Sequence, residues 1–516
     1  VSRRGTGCSG WVVGWLMGLV LAGSSTAAMA APVEHHGEIL VRVHAWPHEV
    51  EALGLDVWTH RAKVPRVVAR VVPSLRAALE ASGYAYEVIE PDLGSRLSEE
   101  RMRRLAVASA YGGGLDPAYH DGYHELPEVL AWLDALATAE PARVSIVELG
   151  VSLEGRPIRG VRITNPSRAV HPSILVLGGQ HAREWISPAA ITFAAEQLAT
   201  AAEGSAIDLL LDEVAVVMVP VANPDGYVFT WTDDRLWRKN RRDEHGVDLN
   251  RNWSVAWGGE GSSDDPEDGN FRGEAPFSEP ETVAVRDFVA TEIRLLGFLD
   301  VHSYGQLVLW PWGFAEGVVA DDDARFEDLA VGIADSMMDP YDRFYEPMQS
   351  SDFYPAAGNS VDWAYGVHGL HALGVELRPG GDEEAGFMLS EAHIVPTGEE
   401  LLAGILVLAE TSIELGPGSP GDDGNAEPPP PSDDTTGTTT GEGLDGTGGE
   451  GSSGAVASSS DDGVEPGGTG GEAVDEGTGG GCGCRSKGEG EGEGRAWWAV
   501  AAVSLGLRRR RRRGRR

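Results

Sequence analysis

Cysteine is nearly absent from this chain. Only Cys8, Cys482 and Cys484 occur among 516 residues, so none falls in the long central stretch that carries most of the apolar sequence. No disulfide can staple that stretch, and no thiolate can bind a metal within it. Scarce cysteine taken alone is the pattern of a reducing compartment. Positive charge is missing from another region: residues 414–481 contain no lysine or arginine and are mainly Gly, Ser, Thr, Pro, Asp and Glu. Such a segment cannot bury enough apolar surface to offset chain entropy, which predicts disorder. The net charge of −39 argues against nucleic acid as partner, because phosphate repels it. Long apolar runs are lacking too: those at 11–21 and 496–507 are short for an ordinary spanning helix. No internal repeat is evident.

What is present divides into segments. Arg3 and Arg4 precede the first apolar run, and Ala28-Met29-Ala30 follows it. Basic start, short apolar core and Ala-x-Ala read as a secretory signal peptide over residues 1–30, which overrides the cysteine argument; an uncleaved anchor is the alternative. Residues 31–104 read as a small α+β unit. Stretches 38–44, 56–58, 67–72 and 84–89 are strand candidates, and a helix at 74–81 is opened by Pro73 and closed by Gly83. Arg101, Arg103 and Arg104 follow in a charged, protease-sensitive link. From 115 to 413, short β-rich apolar runs (174–177, 214–219, 295–301) alternate with helical patterns (188–201, 279–293). That alternation predicts an α/β domain with a mixed, mostly parallel sheet flanked by helices and sites at its strand ends. Residues 482–516 end the chain with two cysteines, the second apolar run and arginines at 508–513. Either an arginine block holds that end on the cytoplasmic side, or a basic tail binds anionic lipid or nucleic acid.

Two histidines and one carboxylate stand out. His181-Ala-Arg-Glu184 places His and Glu three apart, and His302 closes the apolar run at 295–301. Three such ligands are the donor set of catalytic zinc, which keeps a fourth position for water. Alone, His-x-x-Glu is a weak signal, since chance copies are common. On a helical turn the two side chains would share one face. A base is also needed. Glu376 lies in the alternating apolar stretch Gly374-Val-Glu-Leu-Arg378, where a glutamate is costly unless it is paired with a nearby arginine or functional. Leu236-Trp-Arg-Lys-Asn-Arg241 precedes Asp248-Leu-Asn-Arg-Asn-Trp253. The cations there either form an exposed basic patch or grip a carboxylate bidentately.

Together these segments resemble the zinc carboxypeptidases of the carboxypeptidase A and B type. The matching pieces are His181-Ala-Arg-Glu-Trp185, Asn223-Pro-Asp-Gly-Tyr227, Leu236-Trp-Arg-Lys239, Asp248-Leu-Asn-Arg-Asn-Trp253, Val301-His-Ser-Tyr304, Leu309-Trp-Pro-Trp-Gly313, Ser360-Val-Asp-Trp363 and Val375-Glu-Leu-Arg378, in family order. The resemblance implies a carboxypeptidase-like fold, with residues 31–104 an open-sandwich activation segment over the active site of a zymogen. It implies one Zn2+ held by His181, Glu184 and His302, with Asp248 accepting from the second nitrogen of His181. Glu376 would be the base and Arg238 the oxyanion donor. Asn250 and Arg251 would hold the substrate's terminal carboxylate, Tyr354 would close over it, and Arg183 and Tyr304 would line the approach. Val361 stands where an acidic residue accompanies basic specificity, so apolar or aromatic terminal residues are expected. The C-terminal segment resembles the sorting tags of myxobacterial surface proteins, which implies export and processing at the cell surface.

The implied function is a secreted carboxypeptidase acting on peptide and protein C-termini, as a monomer that meets membrane only through its terminal segments. A peptidoglycan or γ-glutamyl peptidase on the same fold is the rival; an inactive surface-binding module is a further one, against which every ligand and the base are kept. The resemblance also implies a cis bond after Arg378, and Pro379 lowers its cost to about 0.5–1 kcal/mol. The acidic loop 258–273, with Asp264, Asp265, Glu267 and Asp268, is read as solvated, with calcium binding the alternative.

Overall fold

The computed structural model describes residues 32–59, 64–108, 113–166, 171–380 and 386–418. The expectations for 1–30 and 482–516, and for all but the first residues of 414–481, lie outside the described residues.

The N-terminal part has the four strands expected and, beside the expected helix, a further short one at Pro47–Glu51. β1 (Ile39–Val43), β2 (Asp56–Val57), β3 (Val67–Val71) and β4 (Tyr86–Glu90) pair antiparallel in the order β2-β3-β1-β4. Side chains alternate across a strand, so the two faces diverge. Val41, Val43, Ala69 and Val71 meet Val50 and Leu79 of the helices Pro47–Glu51 and Arg76–Ser82 in one apolar core. Gly83 ends the second helix in the left-handed conformation, as its position suggested. Leu40, Val68 and Trp58 point the other way and pack with Leu236, Tyr304, Phe387 and Met388 of the larger part.

The stretch around Arg101–Arg104 differs from expectation. It belongs to a helix, Leu93–Ala108, in a run free of proline and with a single glycine near its start. Glu100 on this helix is buried against Arg235, whose Nε lies 3.2 and 3.1 Å from the two carboxylate oxygens, and the Arg104 guanidinium stacks on Trp185. Charges read as part of a protease-sensitive link are therefore partly docking groups.

The larger part is built on an eight-stranded sheet. β5 (Val144–Val151), β6 (Pro157–Ile163), β7 (Ser173–Gly178), β8 (Ala215–Val219), β9 (Leu295–Gly305), β10 (Leu307–Trp310), β11 (Glu346–Gln349) and β12 (His371–Gly380) take the order β11-β10-β12-β9-β7-β8-β6-β5. The β7–β8, β7–β9, β9–β12 and β10–β11 pairs are parallel, the others antiparallel. The central strands are buried on both faces, which is why 174–177 and 215–219 are uninterrupted apolar runs. The helix Ile394–Leu415 packs against helices Ile186–Ala199 and Asp323–Met338. It is long and apolar enough to cross a membrane by length and composition, but Leu401, Ile405, Leu408 and Ala409 are fully buried in the core, and Glu400 pairs with Arg378. The Arg378–Pro379 bond is cis, as expected; Ser303–Tyr304 and Pro311–Trp312 are cis as well, with no signal in the sequence.

One local feature aims the site. β7 ends at Gly178, and a Cβ there would stand 2.3 Å from Cδ1 of Ile191. Gly179 takes φ +64° with Pro220 O 2.8 Å from where its Cβ would lie. Together they let the chain turn tightly under the helix Ile186–Ala199 and deliver His181. Gly178→Val should cost about 1–3 kcal/mol by overpacking, read as a thermal midpoint several degrees lower; an unchanged midpoint would show that the neighbouring side chains yield freely.

Candidate active site

His181 and Glu184 lie on the turn between β7 and the helix Ile186–Ala199, not on a helical face. An i to i+3 bond from Glu184 N to His181 O, at 3.3 Å, closes that turn. His302 lies inside β9, which runs on to Gly305, and Glu376 sits directly opposite it on the parallel neighbour β12. Nδ1 of His181 is 2.8 Å from Oε1 of Glu184, Nδ1 of His302 is 3.0 Å from Oε2 of Glu184, and the two Nδ1 atoms are 3.0 Å apart. All three side chains are buried.

Each ring has its other nitrogen beside a carboxylate. Nε2 of His181 is 3.1 Å from Oδ1 of Asp248, and Nε2 of His302 is 2.9 Å from Oδ2 of Asp300. A proton on each Nε2 leaves two imidazole lone pairs and a carboxylate converging on one point, where the Arg238 guanidinium meets only one of the lone pairs, its Nη1 3.2 Å from Nδ1 of His181. The donor set therefore fits zinc, with carboxylates orienting the ligand rings. Among the described residues this is the one cluster of three or more such groups. The acidic side chains of the 258–273 loop are exposed, and Lys239 ties that loop down by donating to the carbonyls of Pro266 at 2.9 Å and Asp268 at 2.7 Å.

The charges around the cluster are ordered. Arg238 donates from Nε and Nη2 to Oδ2 of Asp248, at 3.1 and 2.9 Å, and its Nη1 is 3.8 Å from Glu184. Burial opposes ionisation of Asp248, but Arg238 and His181 outweigh it and keep its carboxyl well below the usual range. Glu376 has the reverse environment. Burial, then the Glu184 carboxylate, push it up to about 8, and its Oε2 has no hydrogen bond. A carboxyl that titrates near neutrality can both take and return a proton.

A cleft of about 540 Å3 opens here, lined by His181, Glu184, Arg238, Tyr304, Tyr354 and Glu376 on one side and by Asp56 and Trp58 of the N-terminal sheet on another. Arg183 donates to Asp56 from Nη1, at 3.2 and 3.3 Å, and stacks on Phe387 at 4.2 Å. Tyr304 packs edge-on against the same ring at 5.0 Å. Asn250, Arg251 and Val361 do not line this cleft. Asn250 accepts from Ser360 N at 2.9 Å. Arg251 donates to the carbonyls of Gly261 and Asn250, both at 2.8 Å, and its guanidinium lies 5.7 Å from the Tyr354 ring. Val361 is buried on the helix Ser360–His368, with Cγ2 3.7 Å from where a Gly374 Cβ would lie. Sequence reasoning missed Asp300, Phe387 and the Asp56–Arg183 pair. Asp300 had a signal: an acid inside an apolar strand run, two residues before a ligand and so on the same face.

Comparison with known proteins agrees with this geometry. The zinc carboxypeptidase family model matches residues 129–404. Carboxypeptidase B of Astacus astacus is 40% identical over 298 residues, covering 56% of this chain and 96% of that protein. Zinc carboxypeptidase A 1 of Anopheles gambiae is 37% identical over 342 residues, 65% of this chain and 77% of that protein. The crystal structure of carboxypeptidase A from Helicoverpa armigera superposes with a TM-score of 0.65 at 28% identity, covering 74% of this chain and 98% of that one. The eight-stranded sheet, the His181–Glu184–His302 cluster and these likenesses converge: the chain belongs to the zinc carboxypeptidase family, as a homologue of its metallocarboxypeptidase hydrolases.

Proposed function

We propose that this protein is a secreted proenzyme that removes the C-terminal residue of peptides and proteins, preferring apolar or aromatic residues there. The observation that carries this reading is the convergence of His181, Glu184 and His302 beside a Glu376 that faces His302 across one strand pair. These three residues hold zinc, which when bound supplies a Lewis acid for the scissile carbonyl and a positive charge that favours ionised Glu376. Glu376 takes the proton of the attacking water and returns it to the leaving amine. Arg238, fixed by Asp248 on its far side, presents Nη1 to the developing oxyanion. Asn250 and Arg251 receive the substrate's terminal carboxylate, Tyr354 closes over it, and the apolar Val361, packed beside Gly374, offers no charge to a basic terminal side chain. That clamp sets the last peptide bond, and no other, over the metal.

In the same reading residues 31–104 are the activation segment. Asp56 occupies the Arg183 guanidinium and Trp58 covers Phe387, with ring centroids 5.0 Å apart, so the approach taken by upstream substrate residues is filled. The Arg183 and Tyr304 side chains line that approach once the segment leaves.

Three tests follow from these assignments. Glu376→Gln should lower kcat by about 10²- to 10⁴-fold while zinc content stays at one per chain, and a chelator should silence the parent enzyme until zinc is restored; a variant with most of its turnover intact removes Glu376 as the base. In a dipeptide panel run before and after limited trypsin treatment, amidating the terminal carboxylate should reduce kcat/KM on the order of 10- to 100-fold. Aromatic and aliphatic termini should outrun lysine and arginine, and trypsin should raise all rates; equal cleavage of the amide refutes the clamp.

The third test uses pH. Burial would raise Glu38, but His35 and Arg70 outweigh it and hold it at about 2, below its ordinary 4.5. Burial likewise opposes ionisation of Asp56, yet Arg183 and Arg70 keep it below the usual range. Depressed carboxylates stabilise the docked segment above their ordinary pKa, and that stability is lost as pH falls through the folded values. His35 runs opposite. Burial lowers it, but hydrogen bonds to Asp234 and Glu38 leave it above 6.5, so its contribution holds below 6.5 and fades as pH rises through the raised value. Resistance of the segment to proteolytic release should therefore peak between about pH 4.5 and 6.5 and fall on both sides; a profile flat from pH 2 to 8 contradicts the latch.

A further inference from the structure

Asp300 lies in β9 two residues before His302, on the same face of the strand, and is completely buried. A fully buried carboxylate is costly unless charge or hydrogen bonds compensate it. Among the described residues no lysine or arginine forms an ion pair with it. Its contacts gather on one oxygen: Oδ2 is 2.9 Å from Nε2 of His302, accepts from Gln180 Nε2 at 2.7 Å, and accepts from the Ser360 hydroxyl. Oδ1 makes no hydrogen bond. A carboxylate held only for structure would spread its partners over both oxygens. Here Gln180 and Ser360 turn one oxygen toward the ring and leave the other unpaired.

The neighbouring amide points the same way. Nδ2 of Asn250 is 3.2 Å from Nε2 of His302, a distance that would suit a donor only if that ring nitrogen were bare. With Nδ1 directed at the metal point, Nε2 is the nitrogen left to carry the proton, and the charged Asp300 Oδ2 at 2.9 Å is a nearer acceptor than any other group on that side. The Asn250 amide is then not consumed by the ring. Its own oxygen accepts from Ser360 N at 2.9 Å, and Ser360 is the residue whose hydroxyl reaches Asp300. One run of contacts thus joins a metal-ligand ring, a buried acid, a serine and an amide at the substrate carboxylate site.

We propose that Asp300 is a positioning residue of the metal centre: by accepting from Nε2 of His302 it fixes the tautomer that presents Nδ1 to the zinc, and through Ser360 it holds Asn250 with its amide turned to substrate. Both histidine ligands are then carboxylate-backed, His181 by Asp248 and His302 by Asp300. The inference rests on the zinc reading above and adds to it the second acid.

The test uses the full chain. Zinc affinity, measured by competition with a chromophoric chelator, should fall about 10- to 100-fold in Asp300→Asn, while the melting of the metal-free variant stays close to that of the parent. Unchanged affinity in a folded variant overturns the proposal and leaves the zinc site standing. A parent protein that takes up no zinc overturns the carboxypeptidase reading itself. Should Asp300→Asn fail to fold, 15N-histidine NMR of the zinc-loaded parent decides: two ligand rings protonated at Nε2 are expected, and a bare Nε2 on His302, assigned by its loss in His302→Ala, sinks the proposal.

Discussion

Two parallel strands, β9 and β12, lie side by side with His302 opposite Glu376. That register is a backbone property, set by a ladder of hydrogen bonds between strands buried on both faces, and it cannot slip by one residue without turning every side chain over. It brings a candidate metal ligand and the glutamate proposed as base together without a flexible loop between them. The remaining ligands arrive on the turn after the adjacent strand β7, so three neighbouring strands supply the centre from one edge of the sheet. This is where an open α/β sheet concentrates chemistry.

Inside that frame the electrostatics separate two kinds of acid. Asp248, next to Arg238 and His181, stays ionised, whereas for Glu376 burial and the Glu184 carboxylate outweigh His302 and Arg238 and push it toward holding a proton. The same carboxyl chemistry is thus ionised in one place and inclined to hold a proton in another, with environment alone deciding between them.

Much of this was legible beforehand because it depends on local pattern. Buried parallel strands are continuous apolar runs, and 174–177 and 214–219 could be placed almost to the residue. The order of the matching segments named the ligands, and Pro379 marked its cis bond. What resisted reading was contact across the fold. That Glu100 and Arg104 dock rather than float depends on Arg235, Trp185 and Trp231, far along the chain. The turn carrying His181 and Glu184 looked helical because three-residue spacing suits both a helix and a closed turn. Asp300 was passed over as part of an apolar run, since its partners Gln180, His302 and Ser360 meet only after folding.

The Asp56–Arg183 contact has a kinetic side. Asp56 is tethered to the same chain as Arg183, so it confronts that guanidinium at an effective concentration of roughly millimolar order, whatever the dilution of the protein. Any free carboxylate reaching for the same arginine must outcompete a ligand that cannot diffuse away. Severing the tether leaves every atom of the contact as it was and changes only how often the rival returns.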